Sequence, residues 1–302
     1  MESALFGVLG LAAGIVRYFH LSTGFEPADD PEIAGLAIPG NVYGMLITTV
    51  SVLVCVYLLL SYAVSRFGSD KAKGDLLVPG RINGKARAFL LASAITAFFG
   101  ATLQMIDSFA RFSVWGILTS GLLFGAGASA VVTARYMGQR ARGENIGPPN
   151  VLLAVFWACA WLVDLYQSVS RKPTLLQYVF PVLGVITLVL VFYVSAGYVF
   201  ARAKLPAVLC AMKALLFFGP MNIVGEGLYA WKEGILFTRA GLFSVVRPGV
   251  FLLYGVFFAI GILCLLRPNL VAASTDSQAE EPLAISAEEP QVEPDIKSEP
   301  EA

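Results

Sequence analysis

Long runs of predominantly apolar residues are the feature that most limits how this chain can fold. Each run is about 18 to 25 residues long, and a helix of that length crosses the roughly 30 Å hydrocarbon core of a bilayer. Each run is therefore predicted to be a transmembrane helix. We predict eight spans, at residues 3–20, 42–65, 88–109, 113–136, 150–169, 178–201, 206–228 and 249–267.

The composition argues against a soluble protein. Of the 302 residues, 57% are hydrophobic and 14% are charged, whereas soluble domains carry about 25% charged residues. A soluble chain with these helices would have to bury nearly all of them on every side, and a chain of this size has too little interior for that. We therefore predict an all-α fold, a polytopic transmembrane helix bundle formed by residues 1–270.

The C-terminal segment, residues 271–302, has a different composition. From Asp276 to Ala302 it holds nine acidic residues and one lysine, Lys297, and it repeats EEP and EP steps. Such a segment buries too little apolar surface to offset the entropy of ordering it, so we predict a disordered acidic tail. The tail is either a solubilising extension or an arm that contacts basic loops or a basic partner.

Basic residues are unevenly divided between the two sets of connections. Six basic residues lie between the spans on one side, together with the acidic segment FEPADDPE. The other side carries twelve: Arg66, Lys71, Lys73, Arg81, Lys85, Arg87, Arg135, Arg140, Arg142, Arg202, Lys204 and Arg267. Because basic loops stay in the cytoplasm, we predict a multi-pass plasma-membrane protein with both termini cytoplasmic.

Small residues recur at four-residue steps in three of the predicted spans. The steps are Gly10 and Gly14; Ser93, Ala97 and Ala101; and Gly121, Gly125 and Ser129. Small side chains allow helix backbones to approach closely within a membrane. We therefore expect the third and fourth spans, which are joined by a short turn, to pack tightly together.

Polar side chains within the spans are the candidates for function. A charge at the centre of a bilayer costs about 2.5 to 3.5 kcal/mol, so each such residue needs an explanation. All six candidates are predicted to lie towards the outer leaflet: Arg17, Gln104, Asp107, Asp164, Asn222 and Glu226. They either form a polar pocket that binds a small ligand or a cation or relays protons, or pair with one another and with headgroups to fix helix contacts.

The sequence lacks the residues that several kinds of enzyme chemistry need. The chain has a single histidine, His20, while metal-dependent membrane enzymes use several. HExxH, GxSxG and a complete GxxxxGK[ST] are absent from the sequence, and these motifs serve zinc, serine and nucleotide chemistry. We predict a protein that is not an enzyme and that uses no cofactor or metal.

Two stretches carry a resemblance to known proteins. They are STGFEPADDPEIAGLAIPGN, after the first span, and WLVDLYQSVSRKPTLLQYVFP, from the fifth span into the sixth. Together they resemble a group of uncharacterised multi-span membrane proteins of Gram-positive anaerobic bacteria. That group has no assigned activity, so the resemblance implies a membrane location and assigns no residue a role.

Two functions remain open at this point. The first is an integral membrane protein that acts as a small-solute or ion permease, or as the membrane subunit of a larger complex. The second is a sensor or scaffold that recruits cytoplasmic partners through the basic loops and the acidic tail. In either case we predict contact with the lipid bilayer and with protein partners, and none with nucleic acid. The permease hypothesis predicts that Arg17, Asp164 and Asn222 converge on one cavity.

Overall fold

Eight long helices make up most of the structure. The computed structural model describes residues 2–25, 37–67, 83–139, 149–170, 178–200 and 202–279. The helices are α1 (Glu2–Thr23), α2 (Val42–Phe67), α3 (Gly84–Ala110), α4 (Val114–Gln139), α5 (Leu152–Ser170), α6 (Val179–Val199), α7 (Leu205–Lys232) and α8 (Arg247–Ala279). A short helix (Arg239–Gly241) and a π-helical segment (Leu242–Val246) lead directly into α8.

Seven of these helical segments are long and apolar enough to cross a membrane. The remaining helix, α5, has 19 residues, and its apolar part, Leu152–Ser168, is shorter. At 1.5 Å per residue α5 rises about 28 Å, close to the thickness of the hydrocarbon core. The prediction of an all-α transmembrane bundle with about eight spans is confirmed, and the chain is an integral membrane protein.

The first and seventh helices run parallel and touch along their length. An ideal Cβ at Gly10 would lie 2.5 Å from the Phe217 carbonyl oxygen, and one at Gly14 would lie 2.7 Å from Val224 Cβ. Only glycine leaves room for the backbones at this distance. The small residues of the first span therefore serve the contact between α1 and α7.

Helix α3 packs against both α4 and α8, as the small residues on its surface require. Ala97 and Ala101 are fully buried, and an added Cβ at Gly127 of α4 would lie 3.2 Å from Ala97 Cβ. The expected packing of the third and fourth spans is thus found, but one predicted residue contributes elsewhere. Gly125 faces Leu153 of α5, and an added Cβ at Gly121 meets no atom within 4 Å.

Consecutive helices alternate in direction, which gives the bundle two distinct ends. We call the end where α1, α3, α5 and α7 finish the distal face and the opposite end, which holds Glu2, the terminal face. At the terminal face Lys213 donates to Glu2 over 2.6 Å. Lys213 is buried within α7, and its long side chain carries the ammonium group to the carboxylate at the start of α1.

The last helix continues further than the sequence predicts. We placed the end of the eighth span at 267 and the domain boundary at 270, whereas α8 reaches Ala279. Residues 271–279, predicted to be disordered, are therefore helical. The rest of the predicted acidic tail, residues 280–302, lies outside the described residues.

Candidate functional site

Three of the six predicted polar residues line one cavity. Arg17, Asn222 and Glu226 border a partly open space of about 260 Å³, which lies between α1, α5, α6, α7 and α8 together with the π-helical segment. The aromatic residues of its wall are Trp161, Tyr178 and Tyr229. Leu165, Val185 and Leu252 supply apolar surface. We call this space the distal cavity.

The polar residues of the distal cavity lie below the ends of their helices. Arg17 precedes the last residue of α1, Thr23, by six positions, and Glu226 precedes the last residue of α7, Lys232, by the same number. At the helical rise both lie about 9 Å inside the helix ends, and Asn222 lies about 15 Å inside. The cavity therefore reaches into the membrane-spanning part of the bundle.

Arg17 is held by two neighbouring helices, α6 and α7, and by His20 of its own helix, and it is 1% exposed. Its guanidinium lies over the Phe180 ring, 4.7 Å from the centroid, and its Nη1 lies 2.9 Å from His20 Nδ1. Its aliphatic stem fills the space beside Gly225 of α7, where an added Cβ would collide with the Arg17 side chain. Arg17 and Glu226 also attract each other electrostatically, so a basic and an acidic side chain meet at the cavity.

Asn222 joins α7 to α6 at the wall of the distal cavity. Its Nδ2 donates to the carbonyl oxygens of Phe180 and Phe218, each over 2.9 Å. Gly184 permits this approach, because an added Cβ there would lie 2.8 Å from Nδ2. The side chain is 1% exposed, and among the described residues its Oδ1 accepts no hydrogen bond.

Asp107 belongs to a separate ionic cluster at the distal face. It accepts from Arg111 Nε through Oδ1 and from Arg247 Nη1 through Oδ2, both over 2.8 Å. Asp164 is exposed on α5 and contributes an electrostatic attraction to Arg247. Asp107 Oδ2 thus joins α3 to the start of α8, and Oδ1 pairs with Arg111 at the end of α3 itself, so Asp107 has a structural role.

Asp164 and Gln104 also differ from the expected arrangement. The distal cavity is lined by Trp161 and Leu165 of α5, which leaves Asp164 outside its wall. Gln104 donates from Nε2 to Thr119 Oγ1 over 2.6 Å and so joins α3 to α4. The predicted convergence on one cavity therefore holds for Arg17 and Asn222, with Glu226, but not for Asp164, Asp107 or Gln104.

Some residues of these two sites escaped the sequence argument. The sequence analysis counts Arg247 only as a basic residue between spans. Its position at the start of a predicted helix, at the same end of the bundle as Asp107, could have indicated an ion pair between them. Tyr229 carries no signal at all, because a single tyrosine near a span end most often marks the interface. Trp161, which also lines the distal cavity, contacts Phe251 of α8, with ring centroids 4.9 Å apart.

A second, more apolar space lies on the other side of Phe180. It is a groove of about 900 Å³ along α2, bordered by His20, Ser51, Phe180 and Leu183. Phe180 and the adjoining Arg17 and His20 therefore form the wall between the groove and the distal cavity.

Comparisons of the chain with protein-family models, with curated proteins and with solved structures found no match.

Proposed function

We propose that this protein is a non-enzymatic permease for a small polar solute and that the distal cavity is its solute-binding site. The observation that carries the proposal is the convergence of Arg17, Asn222 and Glu226, from α1 and α7, on one cavity inside the membrane-spanning bundle. Polar groups at this depth are costly unless they pair or serve a purpose. Here one amide oxygen is left without a partner among the described residues.

The size and lining of the distal cavity support a small solute. Pockets for drug-sized ligands have volumes of about 300 to 1,000 Å³ and combine apolar walls with a few polar groups. The distal cavity, at about 260 Å³, lies just below that range. Its wall has the same combination, with one cation, one carboxylate and one amide set among aromatic and aliphatic side chains. A solute with one polar end and one apolar end matches this lining.

The Asp107 carboxylate is already paired, which favours the cavity over the rest of the distal face. Each Asp107 oxygen accepts from an arginine, as in a structural ion-pair network, although Arg247 Nε is buried without a hydrogen-bond partner among the described residues. A membrane subunit or scaffold that works through partners would need only such closed clusters. The amide oxygen of Asn222, which accepts no hydrogen bond from the described residues and whose side chain lines the distal cavity, is what favours a permease.

We further propose that the protein lies in the plasma membrane with both termini in the cytoplasm, as the distribution of basic residues indicates. Two exposed residues at the ends of α7 test this orientation, Lys204 at the terminal face and Glu233 at the distal face. In intact cells, a membrane-impermeant maleimide should label Glu233→Cys and leave Lys204→Cys unlabelled until the cells are opened. Labelling of Lys204→Cys alone in intact cells would show the reverse orientation.

Uptake into proteoliposomes tests the proposed function. The probes are labelled valine, isobutylamine, 3-methylbutanoate and glycerol, which represent a zwitterion, a cation, an anion and an uncharged solute. At least one probe should enter faster than into protein-free liposomes. Glu226→Gln should slow this uptake about tenfold or more, since a hydrogen bond to a charged group is worth about 1.5 to 3 kcal/mol.

The matched control for this experiment is Glu233→Gln. Glu233 directly follows α7 and is exposed, so its replacement should leave uptake unchanged. Equal unfolding midpoints of the two variants would show that both are folded. The permease proposal fails if all four probes enter no faster than into empty liposomes, or if both variants transport equally well.

A further inference from the structure

The groove along α2 opens to the outer surface of the bundle and follows most of that helix. On α2 its wall extends from Gly44 to Leu59, a separation of fifteen residues, or about 22 Å at the helical rise. This length exceeds half of the roughly 30 Å hydrocarbon core, so the groove has room for an extended acyl chain of one leaflet. Val52, Val56 and Leu59 border the groove and are exposed, and the surface on which they lie faces lipid.

His20 supplies a hydrogen-bond donor at the distal end of the groove. An arginine side chain can only donate, so His20 Nδ1 must accept from Arg17 Nη1 over the observed 2.9 Å. The imidazole is therefore neutral and carries its proton on Nε2. The ring also packs against Phe25 and Phe180, with centroids 5.0 and 6.1 Å away. These contacts fix the direction of the Nε2–H group.

Two glycines leave space beside this donor. Added Cβ atoms at Gly24 and Gly44 would lie 3.2 and 3.1 Å from His20 Nε2, and both glycines border the groove. No hydrogen bond from Nε2 occurs among the described residues. An oxygen atom of a ligand in the groove can therefore accept from it.

The lining of the groove favours an uncharged ligand group. None of the described residues that border it carries a charge, and burial of a charge without a partner is costly. Its other buried polar side chain, Ser51, has no hydrogen-bond partner among the described residues. A serine hydroxyl within a helix can rotate to the carbonyl oxygen four residues earlier, here that of Ile47, so Ser51 requires no ligand group. The groove thus suits an alkyl chain with one uncharged acceptor at its distal end.

The depth of His20 matches the position of an ester group in a bilayer. His20 precedes the last residue of α1, Thr23, by three positions, so it lies about 4.5 Å inside the helix end. The ester carbonyls of glycerolipids lie between the headgroups and the hydrocarbon core. A glycerolipid with its carbonyl at His20 would therefore keep its charged headgroup outside the groove, at the distal face.

We propose that the groove along α2 is a binding site for one glycerolipid, whose ester carbonyl oxygen accepts from His20 Nε2–H and whose acyl chain extends along α2 towards Leu59. Glycerolipids form the medium around an integral membrane protein, so this occupant is always present at the groove. The site is separate from the distal cavity, and the inference does not depend on transport.

Two phosphatidylcholines that differ only in their carbonyl groups test the hydrogen bond. Dioleoylphosphatidylcholine has ester links, and its diether analogue has the same chains and headgroup without carbonyl oxygens. Delipidated protein in detergent is titrated with each lipid, and native mass spectrometry counts the bound lipids. One ester lipid per chain should bind saturably. It should bind at least about fivefold more tightly than the diether lipid, which offers no carbonyl oxygen to His20.

Tryptophan substitutions on α2 locate the bound lipid. Val56→Trp fills the groove, whereas Leu53→Trp adds the same side chain at a position that does not border it. Val56→Trp should weaken binding of the ester lipid about tenfold or more, and Leu53→Trp should leave it unchanged. Both native side chains are exposed, so both variants should unfold at the wild-type midpoint.

His20→Phe assigns the preference for the ester lipid to one atom. It keeps an aromatic ring but removes the donor, so it should bind the ester and diether lipids equally. Any loosening of α1 would weaken both lipids alike and leave their ratio unchanged. If His20→Phe does not fold, the ester preference of the wild type and the two tryptophan variants decide the matter.

Several results would overturn the inference. They are equal affinity of the wild type for the ester and diether lipids, and equal binding of the ester lipid by the two tryptophan variants. Tighter binding of free oleate than of the phosphatidylcholine would make a fatty acid the occupant. A dimer that forms without lipid and is disrupted by Val56→Trp would make a second copy of the chain the occupant.

Discussion

Replacing Asp107 by asparagine is expected to lower the free energy of unfolding by about 3 to 5 kcal/mol, the cost of breaking a buried ion pair by removing one partner. Asp107 is 6% exposed, and the side chain of its partner Arg247 is 23% exposed. The variant leaves Arg247 mostly buried, with the electrostatic attraction of Asp164 but without its hydrogen-bonded anion. Equilibrium unfolding in mixtures of SDS and a mild detergent measures the loss.

Two further variants separate the buried pair from the exposed one. The side chain of Arg111, the other partner of Asp107, is 67% exposed, so Arg111→Gln should cost less than about 1 kcal/mol. Combining Asp107→Asn with Arg247→Gln removes both charges and should recover most of the stability. The interpretation is contradicted if Asp107→Asn costs no more than Arg111→Gln.

Replacing Gly10 by alanine is expected to lower the free energy of unfolding by about 1 to 3 kcal/mol, as overpacking does in a well-packed interior. The added methyl group would lie 2.5 Å from the Phe217 carbonyl oxygen and 2.8 Å from that of Leu216. Both neighbours are backbone atoms, so α1 has to move away from α7. Because α1 carries Arg17 and α7 carries Glu226, the same change should also weaken solute binding.

Gly7 provides the matched control for this prediction, one turn earlier on the same helix. An added Cβ there meets no atom within 4 Å, so Gly7→Ala should leave the unfolding free energy unchanged or raise it slightly, since alanine favours helix more than glycine. Unfolding under the same conditions as for the Asp107 variants makes the comparison. Equal effects of the two substitutions would refute the close contact between α1 and α7.

The positions of the helices along the chain could be predicted well, because the length of an apolar run is a strong local signal. The second span was placed at 42–65, and α2 occupies Val42–Phe67. The seventh was placed at 206–228, and α7 occupies Leu205–Lys232. The close contact made by Gly10 and Gly14 was also visible as a four-residue step of small residues, although the partner helix was not.

The arrangement of the helices could not be predicted, for a physical reason. In a bilayer the lipid-facing side of a helix is as apolar as its buried side, so the sequence lacks the periodic pattern that shows orientation in soluble proteins. Asp164 illustrates the consequence. It is the deepest acid of its span, yet α5 turns Trp161 and Leu165 towards the distal cavity and leaves Asp164 exposed.

The ion pairs between residues far apart in the sequence could not be predicted, for a related reason. Arg247 and Asp107 are separated by 140 residues, and Lys213 and Glu2 by 211. The number of ways to pair a few charges across eight helices is large, and local spacing excludes few of them. Arg17 and the carboxylates were predicted to lie towards the same leaflet, and that argument from depth left open which carboxylate lies beside Arg17.

The polar clusters around Asp107 and around Asn222 differ in whether their buried oxygens accept hydrogen bonds, and this difference underlies the functional proposal. Around Asp107 each carboxylate oxygen accepts from an arginine, and the cluster joins α3 to α8. Around Asn222 a buried amide oxygen accepts no hydrogen bond from the described residues, and it adjoins a cavity. The paired carboxylate stabilises a contact between helices, while the amide oxygen beside the cavity is left for a solute.

Chemical accessibility at position 226 tests most directly whether a water-accessible solute site exists inside the bundle. In a variant whose four native cysteines are replaced, Glu226→Cys should react quickly with a small, charged methanethiosulfonate reagent. Water in the cavity and the positive charge of Arg17 both favour the reactive thiolate. Val163→Cys, at a similar depth on α5 where the side chain is 48% exposed on the outer surface, should react far more slowly because it faces lipid. Rapid reaction at 226 alone is the predicted result, and an unreactive Glu226→Cys in a folded protein would contradict the account.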